Sequence, residues 1–217
     1  MTIGRKLTAG CTVMLVLTLG AGISSFQAVN QLERDFDHFA EKAAKRDALA
    51  SQIRTHAVEM ASIDRAILIR GMLQAQDLVA RHKAEFDVVT AKVDERLSQI
   101  GKLLDTDEAR AAIQRVTDDV NTARNAHRDL TQALAAQQAD QAIRIYDEKV
   151  IPTADRVSQQ SAAFMEANSA AADKARQEAQ TRSAAIRWLE VLLSLVGAVV
   201  GAGVVVVVRS SAKELQV

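Results

Sequence analysis

Four histidines are the side chains of this sequence best suited to metal binding or acid–base chemistry. His82 and His127 fall among apolar residues at helical spacing, whereas His38 and His56 are scattered. A metal site on packed helices needs patterns such as HExxH or ExxH, and neither occurs here. We therefore interpret His82 and His127 as core histidines with a hydrogen-bond partner. No metal, haem or other cofactor is predicted.

The composition disfavours three other kinds of chemistry. The single cysteine, Cys11, lies in an apolar stretch, so neither a disulfide framework nor thiol chemistry is expected. Only Gly71 and Gly101 lie away from the apolar ends, and phosphate-binding loops need clustered glycines. The net charge is zero and the charges of both signs are interleaved, which gives no electrostatic footprint for nucleic acid. We predict a protein that is not an enzyme and binds no nucleic acid.

Two apolar segments lie near the ends of the chain. The run from Trp188 to Val208, WLEVLLSLVGAVVGAGVVVVV, has one charge, Glu190, near its edge. A helix of about 20 residues spans a bilayer core of about 30 Å, so the sequence predicts a transmembrane helix here. The segment 7–26 is similarly long and carries no charge. It predicts another transmembrane helix, with a cleaved signal peptide as the alternative because small residues follow it.

The flanking charges predict the orientation of the chain in the membrane. Arg5 and Lys6 precede the first apolar segment, and Arg209 and Lys213 follow the second. Because positive residues stay on the cytoplasmic side, both termini are expected in the cytoplasm of a bacterial cell, with the region between the spans in the periplasm. The predicted order is a cytoplasmic start, a span, an extracytoplasmic domain, a span and a cytoplasmic tail, at 1–6, 7–26, 27–187, 188–208 and 209–217.

The region between the spans has apolar residues at helical spacing throughout. The clearest stripe advances by threes and fours along Ala109, Ile113, Val116, Val120, Ala123, His127, Leu130 and Leu134. Three similar stripes and short connections predict an all-α, antiparallel up-down four-helix bundle whose first and fourth helices continue into the spans. Arg46 and Asp64 fall in the register of the first stripe. They could fix helix register or cross a dimer interface, and solvent-facing positions remain an equal alternative.

The helix ends are predicted from local residue types. Gly71 is expected to close the first helix in the left-handed conformation. Asp105 followed by Glu108 resembles a capping box at the start of the third helix. Gln137 to Asp140 is the expected third turn, with Asp140 as its cap. Pro152 lies inside the fourth helix, where it should cause a kink or a rearranged turn.

The ordered layout resembles the amino-terminal half of a methyl-accepting chemotaxis receptor with a four-helix-bundle sensor domain. The opening MTIGRKLTAG, followed by an apolar run, looks like the start of many such receptors. The tail RSSAKELQV is similar to the beginning of a HAMP linker, with Arg209, Lys213 and Leu215 at the expected places. It departs from that pattern at Glu214, where the linker usually has a proline. The sequence has no counterpart of the methylation helices or the kinase-contacting tip, so the resemblance covers only the sensory portion.

The resemblance implies a position for a small ligand. In this family the ligand binds near the membrane-distal end, between helices one and four and often across a dimer interface. Arg65 and Arg70 lie near that end of helix one, and a guanidinium group suits a carboxylate because it offers two parallel hydrogen bonds. The pair Pro152-Thr153 is similar to one that forms part of the pocket in aspartate-sensing relatives. We predict Arg65, Arg70 and Thr153 as ligand-binding residues. Solvated or ion-paired arginines and a surface threonine are the alternatives.

The leading functional hypothesis is a membrane-anchored, chemoreceptor-like sensor of a small ligand such as a carboxylate or an amino acid. Gly197 and Gly201 form a GxxxG pattern, which is compatible with close packing of two spans. A homodimer, or a heterodimer with a full-length receptor that supplies the output, is expected. A non-enzymatic envelope scaffold and a truncated receptor remnant are the alternatives, and a kinase or cyclase output is equally compatible with this architecture.

Overall fold

The computed structural model describes residues 3–214, which form helices joined by short connections and contain no strand. The elements in chain order are α1 Ile3–Met72, α2 Gln76–Gly101, α3 Asp107–Ala135, α4 Ala139–Ile145, a π-helical segment Tyr146–Val150, and α5 Ile151–Glu214. α4, the π segment and α5 follow one another directly and together form the fourth helix of the bundle. The predicted all-α four-helix fold is confirmed.

The chain divides into two compact units, each described here by itself. The bundle unit is Ala40–Ala172, and the terminal unit combines Met1–Phe39 with Asp173–Val217. In the bundle unit the connections between helices are short, so successive helices are antiparallel neighbours. One end of the bundle, called the two-turn end below, carries the connections 73–75 and 136–138.

The core of the bundle unit is built from the predicted stripes of all four helices. Its fully buried members are Ile53, Ile67, Val93, Ile100, Val116, Val120, Leu130 and Val157. Burial of a Val, Leu or Ile side chain stabilises a fold by about 1.5 to 3 kcal/mol, so this seam supplies much of the driving force for packing. Aromatic residues contribute little, since Phe86, Phe164 and Tyr146 are the buried rings of the described part of the chain.

One helix among the described residues is long and apolar enough to cross a membrane. The stretch Ala139–Gly201 contains the qualifying window, none of which is buried. The apolar side chains at the start of the predicted second span are exposed, with Trp188 at 70 % and Leu192 at 58 %. The first predicted span, 7–26, is helical within α1, but most of its side chains lie outside what the structure describes, so it stays a prediction. The same holds for the side chains of the tail, 209–217.

Arg46 and Asp64 are buried inside the bundle and do not face solvent. They retain only 5 % and 2 % of their surface exposure, respectively. A terminal nitrogen of Arg46 donates to the carbonyl of Leu103, in the connection between α2 and α3, at 3.4 Å. The alternative that these two residues face solvent is therefore wrong, because both are buried within one chain.

The ends of α1 and α3 are closed by glutamines in the left-handed conformation. Gln74 has a φ of 58° and Gln137 a φ of 57°. The N–H group of each left-handed glutamine and that of the residue after it bond back to the last turn of the helix. In α1 these bonds run from Gln74 to Gly71 and from Ala75 to Arg70. α3 repeats this arrangement with Gln137 to Leu134 and Gln138 to Ala133, which makes both ends Schellman caps.

The prediction that Gly71 closes α1 in a left-handed conformation is wrong. Gly71 lies inside the helix and has no positive φ. A Cβ atom at this position would lie 2.8 Å from a methyl group of Leu134. The missing side chain makes room for that leucine, so the glycine serves the contact between α1 and α3.

Two predicted helix starts also need correction. α3 is capped by Thr106, whose hydroxyl accepts from the backbone N–H of Ala109 at 3.2 Å, and not by Asp105. The third turn lies where the sequence placed it, but Asp140 is inside α4 and does not cap it. Gln138 occupies the cap position and makes no side-chain capping bond. Threonine and aspartate are both good N-cap residues and stand next to each other here, which explains the one-residue error.

Pro152 coincides with a rearranged turn, as predicted. The π segment Tyr146–Val150 ends two residues before it, and the N–H of Ile151 bonds to the carbonyl of Tyr146, five residues earlier. Proline has no N–H to donate and its ring crowds the preceding turn, so the wider π turn accommodates it without ending the helix.

We predict that glycine at either left-handed position stabilises the bundle. Gln74→Gly and Gln137→Gly should each raise the free energy of unfolding by about 1 kcal/mol, because glycine adopts positive φ without steric cost. Thermal unfolding followed by circular dichroism measures the change. The matched control is Gln132→Gly, at an exposed site within α3, which should destabilise by about 1 kcal/mol. Destabilisation by all three changes would contradict this account of the turns.

Candidate functional site

The structure places the three predicted ligand residues in different surroundings. Arg65 and Arg70 are exposed on the last turns of α1, towards the two-turn end. The Nε group of Arg65 donates to the hydroxyl of Tyr146, the first residue of the π segment, at 2.9 Å. Thr153, by contrast, is 1 % exposed. Its hydroxyl group is therefore buried, whereas the two arginines are at the surface.

Thr153 belongs to a polar chain between α5 and α3. Its hydroxyl accepts from a terminal nitrogen of Arg156 at 2.8 Å. The Nε group of Arg156 donates to a carboxylate oxygen of Asp119 at 3.0 Å. The alternative of a surface threonine therefore does not hold. A ligand role for Thr153, together with Arg65 and Arg70, stays a prediction.

The most deeply buried ionisable pair of the bundle unit joins α1 and α3. Oδ1 of Asp64 lies 2.5 Å from Nδ1 of His127, and the two residues are 2 % and 9 % exposed. The imidazole ring stacks on Phe86 of α2, with ring centroids 3.6 Å apart and an angle of 10° between the planes. The expectation that His127 is a core histidine with a hydrogen-bond partner is confirmed.

Asp64 and Glu85 carry opposite pKa shifts although each contacts a histidine. Burial raises the pKa of Asp64 above its ordinary value of 3.8, and the hydrogen bond and charge of His127 offset this only in part. Glu85 lies at the surface, where a hydrogen bond from His82 lowers its pKa from the ordinary 4.5. Loss of hydration therefore dominates at the buried pair, whereas the partner dominates at the surface pair.

Three concave regions accompany these residues. A void of about 10 Å³ beside Asp64 is enclosed by apolar residues from all four helices, among them Met60, Val93 and Val120. A polar groove of about 540 Å³ runs between α3 and the π segment and includes the ion pair of Asp129 and Lys149. In the terminal unit a groove of about 680 Å³ lies between α1 and α5.

Histidines and carboxylates three residues apart form local pairs that the sequence reasoning missed. His56 contacts Glu59 at 2.9 Å, and His82 contacts Glu85 at 2.7 Å. The HxxE spacing was the available signal, since residues three apart are neighbours on a helix. Among the described residues no group of three or more His, Cys, Asp and Glu side chains could hold a metal ion.

The fold and these contacts define a helical bundle with polar contacts inside its seam and no assembled catalytic set among the described residues. The family model of a four helix bundle sensory module for signal transduction matches residues 1–183. The chain belongs to this family, which is a family of sensory modules and not of enzymes. The predicted resemblance to a chemoreceptor sensor domain is thereby confirmed. No curated protein matches the sequence significantly.

We predict that Asp64 makes bundle stability depend on pH. A carboxyl group whose pKa is raised in the folded state stabilises the fold below its unfolded pKa, and this stabilisation is lost as the pH rises. Relative to Asp64→Asn, which cannot titrate, the wild-type chain should lose stability as the pH rises above 3.8 and through the raised pKa. Thermal unfolding in detergent over this pH range measures the difference.

The control for this experiment is Asp87→Asn, at an exposed position of α2. Its stability profile should run parallel to that of the wild type at every pH. A difference between wild type and Asp64→Asn that stays constant, or that grows in favour of the wild type with rising pH, would contradict the assignment.

Proposed function

We propose that this chain is a membrane-anchored sensor whose bundle binds a small ligand and passes a small displacement of α5 towards the membrane. The observation that best supports this proposal is that α5 is one helix from Ile151 to Glu214. It therefore includes both Thr153, in the bundle, and the exposed apolar run that starts at Trp188. A helix transmits a displacement along its axis because its backbone hydrogen bonds keep its length constant.

A contact between α1 and α5, at the end of the bundle opposite the two-turn end, supports this proposal. The amide of Asn168 donates to the carbonyl of Ala43 at 2.9 Å and to a carboxylate oxygen of Asp47 at 2.7 Å. Asn168 is 8 % exposed, so breaking these bonds without replacing them is costly. A displacement of α5 against α1 has to break or rearrange this contact.

The exposed arginines of α1 are the proposed contact for the ligand. A carboxylate would accept charge-assisted hydrogen bonds from Arg65 and Arg70. Arg65 also holds the hydroxyl of Tyr146, at the start of the π segment. A ligand that repositions Arg65 would therefore act directly on the fourth helix. Thr153 is buried and its hydroxyl accepts from Arg156, so it would join the site only after a local rearrangement.

The output is proposed to come from a partner, either a second copy of this chain or a full-length receptor. The groove of the terminal unit supports such a contact, because α1 contributes the acids Glu33 and Asp37, and α5 contributes the bases Arg176 and Arg187. A helix pair with acids on one helix and bases on the other can pair with a rotated copy of itself. The proposed topology has two spans, cytoplasmic termini and the bundle in the periplasm.

We predict a saturable rise in the thermal midpoint of the full chain with small carboxylates or amino acids, because a ligand stabilises the state it binds. The chain is measured in detergent micelles against a panel of such compounds. For any compound that binds, Arg65→Ala should weaken the apparent affinity by at least about tenfold, the usual effect of losing a charge-assisted contact. Arg54→Ala, at an exposed site about three turns earlier on α1, is the matched control and should leave the apparent affinity unchanged.

Two results would contradict the proposal. If no compound shifts the thermal midpoint, and the chain instead co-purifies with an envelope complex, the scaffold hypothesis replaces the sensor. If a compound binds but Arg65→Ala and Arg54→Ala behave alike, the ligand site lies elsewhere on the bundle.

A further inference from the structure

The Asp64–His127 pair is a buried ionisable pair to which the proposed ligand site assigns no role. It bridges α1 and α3, the two helices that both run towards the two-turn end. Its contact is short, at 2.5 Å, and the ring of Phe86 covers one face of the imidazole. α2 therefore holds the histidine in the orientation in which Nδ1 meets the carboxyl group.

The surroundings of Asp64 provide little hydration. The void beside it measures about 10 Å³, which is at the lower limit for a single water molecule. Asp64 is the one ionisable residue among those that enclose the void, and the others include Val150, Ala154 and Val157 on the side of the fourth helix. An ionised carboxylate at this place has lost most of its water and has gained one strong partner in return.

Several charged and titratable groups on the helices that surround the pair have partners of their own. On α1, Arg65 donates to Tyr146 of the π segment. The remaining pairs are His82 with Glu85 on α2, Arg124 of α3 with Asp94 of α2, and Arg156 of α5 with Asp119 of α3. Of the charged groups that the structure describes, His127 is the one that shifts the pKa of Asp64.

Protonation of Asp64 removes the negative charge of the carboxylate from this part of the core. The carboxyl group keeps its short contact with Nδ1 of His127 in this form. When Asp64 releases its proton, the carboxylate is better solvated in an arrangement that admits water between α1 and α3. A proton that binds the dry arrangement better than the hydrated one shifts the balance between them, as any ligand does.

We propose that Asp64 and His127 form a proton-binding site whose occupancy sets how tightly α1 packs against α3, so that the bundle responds to the pH of its surroundings. The packed arrangement is the protonated one, and rising pH favours the hydrated one. This response goes beyond the sensing of a small ligand and does not depend on it, because Arg65 and Arg70 take no part in it.

Spin labels on the two helices test the proposal in the full chain in lipid nanodiscs. In a Cys11→Ser background, labels at Ser62 of α1 and Asn125 of α3 occupy exposed positions. Double electron–electron resonance gives the distance distribution between them. The ratio of the packed to the hydrated population should fall at least about threefold between about pH 4.5 and about pH 7.5. Asp64→Asn, which mimics the neutral acid, should keep the packed distribution at both pH values.

The surface pair provides the matched control. Glu85→Gln removes the carboxylate that contacts His82 at 2.7 Å and should leave the pH response of the wild type intact. A wild-type distribution that is the same at both pH values, or a pH response that persists in Asp64→Asn, overturns the proposal.

A second measurement needs no substitution at the pair. In the wild-type chain with isotope-labelled aspartate, the infrared band of a protonated carboxyl group should persist at a pH where the surface aspartates are already ionised. Disappearance of that band together with those of the surface aspartates overturns the proposal even if Asp64→Asn fails to fold.

Discussion

The bundle depends on one polar contact made in an apolar place, the hydrogen bond between Asp64 and His127. It crosses the seam from α1 to α3, with Phe86 of α2 stacked on the imidazole ring. Removing either partner leaves a buried polar group without its bond, which costs more than the bond itself contributes. An apolar seam tolerates small shifts of one helix along another, whereas this contact is satisfied in one register. It therefore fixes the register of α1 against α3, with α2 positioned by the ring of Phe86.

The remaining polar contacts extend this selection to the fourth helix and to both ends of the bundle. Arg65 bonds to Tyr146 near the two-turn end, and Asn168 bonds to Ala43 and Asp47 near the opposite end. Each contact joins α1 to the fourth helix, the two helices that carry the chain towards its apolar segments. A sensor needs an element with two arrangements that differ by little energy. A few buried polar contacts can break and re-form in a different partner arrangement. They therefore meet this requirement better than a purely apolar seam does.

The sequence predicts the helices and the seam well because both follow from apolar periodicity. The stripe from Ala109 to Leu134 contains five of the seven buried residues of α3, including His127. The errors lie where several residue types satisfy the same local geometry. Gln74 and Gln137 adopt positive φ where glycine is expected, and Thr106 caps α3 one residue beyond the predicted aspartate. The partner of Asp64 could not be found from the sequence either, because a contact between residues 63 positions apart depends on which faces of α1 and α3 meet.

A double-mutant cycle between Asp64 and His127 tests the central claim most directly. The free energy of unfolding of the full chain in detergent is measured for the wild type, Asp64→Asn, His127→Asn and the double variant. If the pair acts as one unit, the two substitutions are non-additive by at least about 1 kcal/mol, as expected for residues in one hydrogen bond. Additive effects, within the few tenths of a kcal/mol seen for independent sites, would contradict the claim that this contact sets the arrangement of the bundle.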